Sequence, residues 1–100
     1  MLSALMIGAV SFQSRAESAT HTVVIEAMQF TPQSLEMRQG DTIVWVNKDA
    51  FPHNVTAMDG SFRSGDIDAD GSWKFEVERK GEFPYRCTLH STMKGNLIVK

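Results

Sequence analysis

The sequence predicts an all-β sandwich of about seven short strands, and three observations lead to it. From Thr22 onward the apolar residues recur with a period of two rather than 3.6. The segments 42–47 and 73–78 combine that alternation with β-branched or aromatic side chains. Glycine, proline, asparagine and aspartate punctuate the chain between such segments.

Taken in order, Thr-Val-Val-Ile-Glu-Ala at 22–27 reads as a first strand. Residues 28–33 read as a connection, because Pro32 has no N–H to give to a ladder. Leu35, Glu36, Met37 and Arg38 alternate, and Gln39-Gly40-Asp41 turns. Residues 42–47, Thr-Ile-Val-Trp-Val-Asn, form the strongest strand, and 55–57 a short one. In 73–78 the side chains of Trp73, Phe75 and Val77 share one face. After a turn at 79–82, residues 83–87 lead to Cys87, and 95–100 close the sheet. A chain of 100 residues makes one domain at most.

The apolar run at 2–12 is too short to span a bilayer as a helix, which needs about 20 residues. Small and polar residues follow it. We read 1–19 as a secretory signal, although its start lacks the usual lysine or arginine, and 20–100 as the mature domain. So small a domain has a marginal core, and its one cysteine cannot form a disulfide within the chain. An unpaired cysteine in an exported protein needs a reason, and metal ligation supplies one. Ten Lys and Arg nearly balance twelve Asp and Glu. That balance argues against a nucleic-acid surface or a polybasic membrane patch.

Chemistry concentrates in Tyr85-Arg86-Cys87-Thr88-Leu89-His90-Ser91-Thr92-Met93. Cys87, His90 and Met93 stand at intervals of three, and His53 lies upstream in Pro52-His53-Asn54. Two imidazoles, a thiolate and a weak axial thioether are the donor set of a blue-copper electron-transfer site. Each residue has a plain alternative. Cys87 could be a small core residue, Met93 core filler, and His53 a surface-loop residue. A Cys–His catalytic pair would leave His53 and Met93 idle, and a small zinc protein would use Cys87, His53 and His90.

Cys87-x-x-His90-x-x-Met93 resembles the ligand loop of the cupredoxins, in particular their amicyanin/plastocyanin-like group. Phe30-Thr31-Pro32, Gly40 to Asn47 and Pro52-His53-Asn54-Val55 carry the same resemblance, which covers roughly 22–100. It implies a Greek-key β-sandwich and one type 1 copper ion, held by His53, Cys87, His90 and Met93. The expected role is a soluble, monomeric, periplasmic one-electron carrier, not an enzyme, working between a redox donor and acceptor such as a dehydrogenase and a c-type cytochrome. The runner-up is a periplasmic copper-binding or delivery protein. The resemblance further implies a hydrogen bond between Asn54 and Thr88, and an apolar rim of Ala50, Phe51, Pro52, Leu89 and Met93. The family often has proline before the loop histidine. Leu89 stands there, so its amide is expected as a second donor to Cys87 beside that of Asn54.

Two further stretches need a reading. Asp66-Ile67-Asp68-Ala69-Asp70-Gly71 opens like a calcium loop but has Val77 where a bidentate glutamate belongs, so it reads as an acidic turn. If the leader is cut after Ser18, Ala19-Thr20-His21 would offer an amine, two amides and an imidazole to a second Cu(II); a solvated terminal histidine is the plainer reading.

Overall fold

The computed structural model describes residues 17–100, so the expected leader lies outside the described residues up to position 16. Among the described residues there are eight strands: β1 (Thr20–Glu26), β2 (Gln29–Thr31), β3 (Ser34–Met37), β4 (Thr42–Asn47), β5 (Thr56–Ala57), β6 (Ser72–Glu76), β7 (Gly81–Arg86) and β8 (Lys94–Val99). They form two four-stranded sheets, ordered β2-β1-β4-β6 and β3-β8-β7-β5. The pairs β1·β4 and β3·β8 are parallel. Parallel neighbours cannot be joined by a tight hairpin, so the chain passes between the two layers and the sandwich closes as expected.

The core sits between the inner faces. β4 buries Ile43, Trp45 and Asn47 completely and leaves the alternate residues half-buried. Val23 and Ile25 of β1, Tyr85 of β7 and Leu97 of β8 meet them. The Trp45 ring stacks on Trp73 at 5.3 Å and meets Tyr85 edge-on at 5.6 Å. Trp73 and Phe75 are only half-buried because β6 is an edge strand.

Two strands differ from expectation. The stretch read as a connection contains β2, joined to β1 by a hairpin turn at Ala27 and Met28. Both residues have positive φ, 54° and 60°, which costs a non-glycine residue energy. The Asp49 carboxylate offsets this by accepting both amides, at 2.8 and 3.0 Å. Pro32 lies just beyond β2, where its missing donor is harmless. β7 begins at Gly81 and runs through Pro84. The Pro84 carbonyl accepts the Met58 amide, so its nitrogen faces the side where β5 has already ended.

At the end of the sandwich where β1 and β4 both begin, Asp41 is a tie point. Its carboxylate binds His21 Nε2 at 2.9 Å and the amides of Ala19 and Arg38 at 2.9 and 3.0 Å. The hydrogen bond from His21, then those from the Arg38 and Ala19 amides, outweigh burial and hold its pKa at about 2. A depressed carboxylate pKa stabilises the fold above the unfolded value near 3.8 and loses that contribution as pH falls toward 2. Asp41→Asn in metal-free protein should therefore cost about 1–2 kcal/mol at pH 7 and flatten the loss of stability between about pH 4 and 2. Urea unfolding across that range checks both. These contacts also hold Ala19, Thr20 and His21 extended along β4, with Thr20 opposite Thr42 and His21 opposite Ile43. His21 is thus half-buried and hydrogen-bonded to Asp41, and the three residues run extended rather than wrapped into a square plane.

Candidate metal centre

The opposite end, where β4 and β7 finish and β8 starts, collects the four predicted donors. Cys87 follows β7 directly. The loop after it closes through Cys87 N–H to the Met93 carbonyl at 3.1 Å and Met93 N–H to the His90 carbonyl at 3.0 Å. His53 comes from the loop after β4 and pairs with Ile67 through both backbone groups, at 3.1 and 2.6 Å. The acidic turn 66–71 thus acts as the strand neighbour that supports His53. Asn47, wholly buried, fixes the same loop. Its side-chain amide donates to the carbonyls of Phe51 and Ile67 at 2.8 and 2.9 Å, and its Oδ1 accepts the Asp49 amide at 2.9 Å.

Cys87 and His53 have no exposed surface, and Met93 is 1% exposed. The Cys87 Sγ lies 3.9 Å from His53 Nδ1. Metal–nitrogen and metal–sulfur bonds of about 2.0–2.3 Å meeting at roughly 110–120° put their donors roughly 3.6–3.8 Å apart, so the observed spacing suits one shared ion. The His90 ring meets the His53 ring edge-on at 5.1 Å and is half-buried. Met93, with Met28, is close to Cys87 and His53.

Hydrogen bonds hold these donors in place. The Asn54 amide donates to Cys87 Sγ at 3.3 Å. Asn54 and Thr88 bond twice as expected, Asn54 Nδ2 to Thr88 Oγ1 at 2.7 Å and Thr88 N–H to Asn54 Oδ1 at 3.0 Å. His53 Nε2 meets the Asp49 carboxylate at 2.8 Å. A carboxylate only accepts, so Nε2 carries the proton and Nδ1 presents its lone pair toward Cys87. Burial opposes the charge on Asp49, but the Met28 and Ala27 amides and the His53 ring prevail and hold its carboxyl below the usual range.

Three findings depart from the sequence reading. Asn54 gives Cys87 Sγ the one amide hydrogen bond it has among the described residues; Leu89 does not supply a second. Thr88 is pinned to Asn54, and Leu89 turns outward with 49% of its surface exposed. Met93 is buried and not part of the rim, which is formed by exposed Phe51, Leu89, Ala50 and Pro52, with Met28 37% exposed nearby. Asp49 went unnoticed as the partner of His53. Its position four residues before the histidine was the one available signal, and a loop gives that spacing no fixed geometry.

The sequence model of the cupredoxin-like domain family matches residues 1–99. Amicyanin-alpha of Methylorubrum extorquens is 28% identical over 97% of this chain and 86% of its own length. Amicyanin of Paracoccus versutus is 31% identical over 78% of this chain and 63% of its own length. The methylamine utilization protein MauL of Methylophilus methylotrophus is 30% identical over 87% of this chain and 53% of its own length. Among solved structures, the oxidised state of a proline-to-alanine mutant of amicyanin superposes with a TM-score of 0.76 at 26% identity, over 81% of this chain and 82% of that one. A copper-containing nitrite reductase from Thermus scotoductus gives the same TM-score and identity, but only 22% of that longer chain takes part.

Proposed function

The chain belongs to the cupredoxin-like domain family, and from that premise we propose that it is a one-electron carrier holding a single type 1 copper ion on His53, Cys87, His90 and Met93. The observation that carries this reading is the buried pair of Cys87 Sγ and His53 Nδ1, 3.9 Å apart. A copper ion bound there supplies a couple between Cu(I) and Cu(II).

The protein's own residues do the rest. Asp49 keeps the His53 proton on Nε2. The Asn54 amide draws electron density from the Cys87 sulfur. The two hydrogen bonds between Asn54 and Thr88 lock the two donor-bearing loops together. Donors fixed this firmly move little when the charge at the site changes. Burial of Cys87, His53 and Met93 excludes water, while half-buried His90 offers the route to the surface beside Phe51 and Leu89. An exposed apolar rim suits a short-lived complex.

Residues 1–19 serve as the export signal and 20–100 as a soluble, monomeric, periplasmic domain. All four donors come from the chain itself, so it carries electrons rather than turning over a substrate. The relatives named amicyanin and methylamine utilization protein support a dehydrogenase as donor, and a c-type cytochrome suits the acceptor role.

Protein loaded with Cu(II) should be intensely coloured and give a reversible one-electron wave in voltammetry. Met93→Gln should keep the colour and lower the potential, because an oxygen donor favours Cu(II) over a thioether. Weakly held, colourless copper would instead mark a delivery protein, and tight zinc without a redox wave a zinc protein; either result overturns the carrier.

A further inference from the structure

We propose that the outer face of the β3-β8-β7-β5 sheet, at its metal-site end, carries a cationic docking surface for an acidic face of the electron-transfer partner; this builds on the carrier reading above. The surface is a row of three cations fixed by strand register. Thr56 lies opposite Arg63 in an isolated bridge and opposite Arg86 in the ladder, and Arg86 lies opposite Lys94. Residues directly opposite one another point to the same side of a sheet. Arg63, Arg86 and Lys94 are all exposed, and Thr56 is half-buried between two of them. With strands about 4.8 Å apart, the row spans roughly 15 Å.

Its position is tied to the metal centre by strand alternation. Arg86 immediately precedes Cys87 and Lys94 immediately follows Met93. Where the donors point inward, their neighbours point outward, so the cations lie on the outside of the site.

None of the three cations is in an ion pair among the described residues. Asp66, the acid on the neighbouring loop, instead accepts from Asn54 Nδ2 at 3.4 Å. Like charges on facing positions destabilise a sheet, so stability alone does not account for the row. The far end of the same face reverses sign: Glu82 and Glu36 both lie opposite Ile98, with Lys100 3.4 Å from Glu36. The face is thus polarised along its strands, on a chain whose net charge is −2. Such a field orients an incoming anionic partner with its charge at the metal-site end, beside exposed Leu89. Three cations on a flat sheet face, with no aromatic side chain among them, are too few for a polybasic lipid site or a nucleic-acid groove.

The test separates this surface from the carrier reading. Hexacyanochromate(III), a redox-inert paramagnetic trianion, added to metal-free protein should broaden the NMR signals of Arg63, Arg86 and Lys94 at low salt. Poly-L-glutamate should shift the same signals. In the copper-loaded, reduced protein, the combined Arg63→Glu, Arg86→Glu and Lys94→Glu variant should be oxidised by hexacyanoferrate(III) about tenfold more slowly or worse. Its rate with the trication tris(phenanthroline)cobalt(III) should stay the same or rise, with the visible spectrum unchanged. Broadening elsewhere, an unaltered hexacyanoferrate rate, or equal slowing with both reagents would overturn the proposal. Binding confined to phosphatidylserine vesicles or duplex DNA would assign the row to phosphate and overturn it as well. Should the protein carry no copper couple, the NMR experiment still decides the surface.

Discussion

Cys87→Ala is expected to abolish the visible colour of the Cu(II) protein entirely. The colour of such a site comes from charge transfer between thiolate sulfur and copper, and no other cysteine is present to replace it. The change is small in volume, so the core loses little packing. It does leave the buried Asn54 amide without its acceptor, a loss of about 1–3 kcal/mol. The domain should therefore still fold, and far-ultraviolet circular dichroism should keep its sheet signature while the visible band disappears. That pairing distinguishes a lost donor from a lost fold. A variant that stays blue would show that the sulfur is not a ligand.

Gly95→Ala should have the largest effect on stability. Gly95 lies opposite Tyr85 in the β7·β8 ladder, and a Cβ there would overlap Cζ, Oη and Cε2 of the Tyr85 ring. The ring cannot easily swing away. It is 1% exposed, with Phe30 edge-on at 4.8 Å and Trp45 at 5.6 Å, and burial pushes its phenol pKa up to about 12. Overpacking a tight core costs about 1–3 kcal/mol and occasionally more; here several ring atoms are met at once, so about 3 kcal/mol or more is expected. For a small domain that is a large share of total stability. Urea unfolding of metal-free protein measures it, and a loss below about 1 kcal/mol would mean that Tyr85 moves aside.

What was legible in the sequence was what depends on neighbours along the chain. The alternation in 42–47 and 73–78 places Ile43, Trp45, Trp73 and Phe75 on inner faces because the pleat has a period of two. The spacing of Cys87, His90 and Met93 marks a tight loop for the same local reason. The remainder depends on how distant segments meet. Hairpin strand β2 was hidden because Ala27 and Met28 are poor residues for positive φ, and the carboxylate that stabilises the turn comes from Asp49, more than twenty residues away. The bond from Asp49 to His53 was hidden similarly. The Leu89 amide was expected on Cys87, yet the fold of the loop around Thr88 turned it away. The cation row was invisible because Arg63 and Lys94 become neighbours only through Thr56 and Arg86.

The order of strands in the β3-β8-β7-β5 sheet has a consequence for biogenesis. β8, the strand that joins β3 to β7, is made after the other seven described strands. A nascent chain that has not yet produced Lys94 already contains every strand of the β2-β1-β4-β6 sheet, but β3 and β7 have nothing between them. Parallel pairing of β3 with β8 also closes a long stretch of chain, which makes it a slow step. Three of the four proposed donors, Cys87, His90 and Met93, lie on the loop that β8 pulls shut. The proposed metal site is therefore complete only once β8 has been made and the sheet has closed, and the appearance of colour would report that closure.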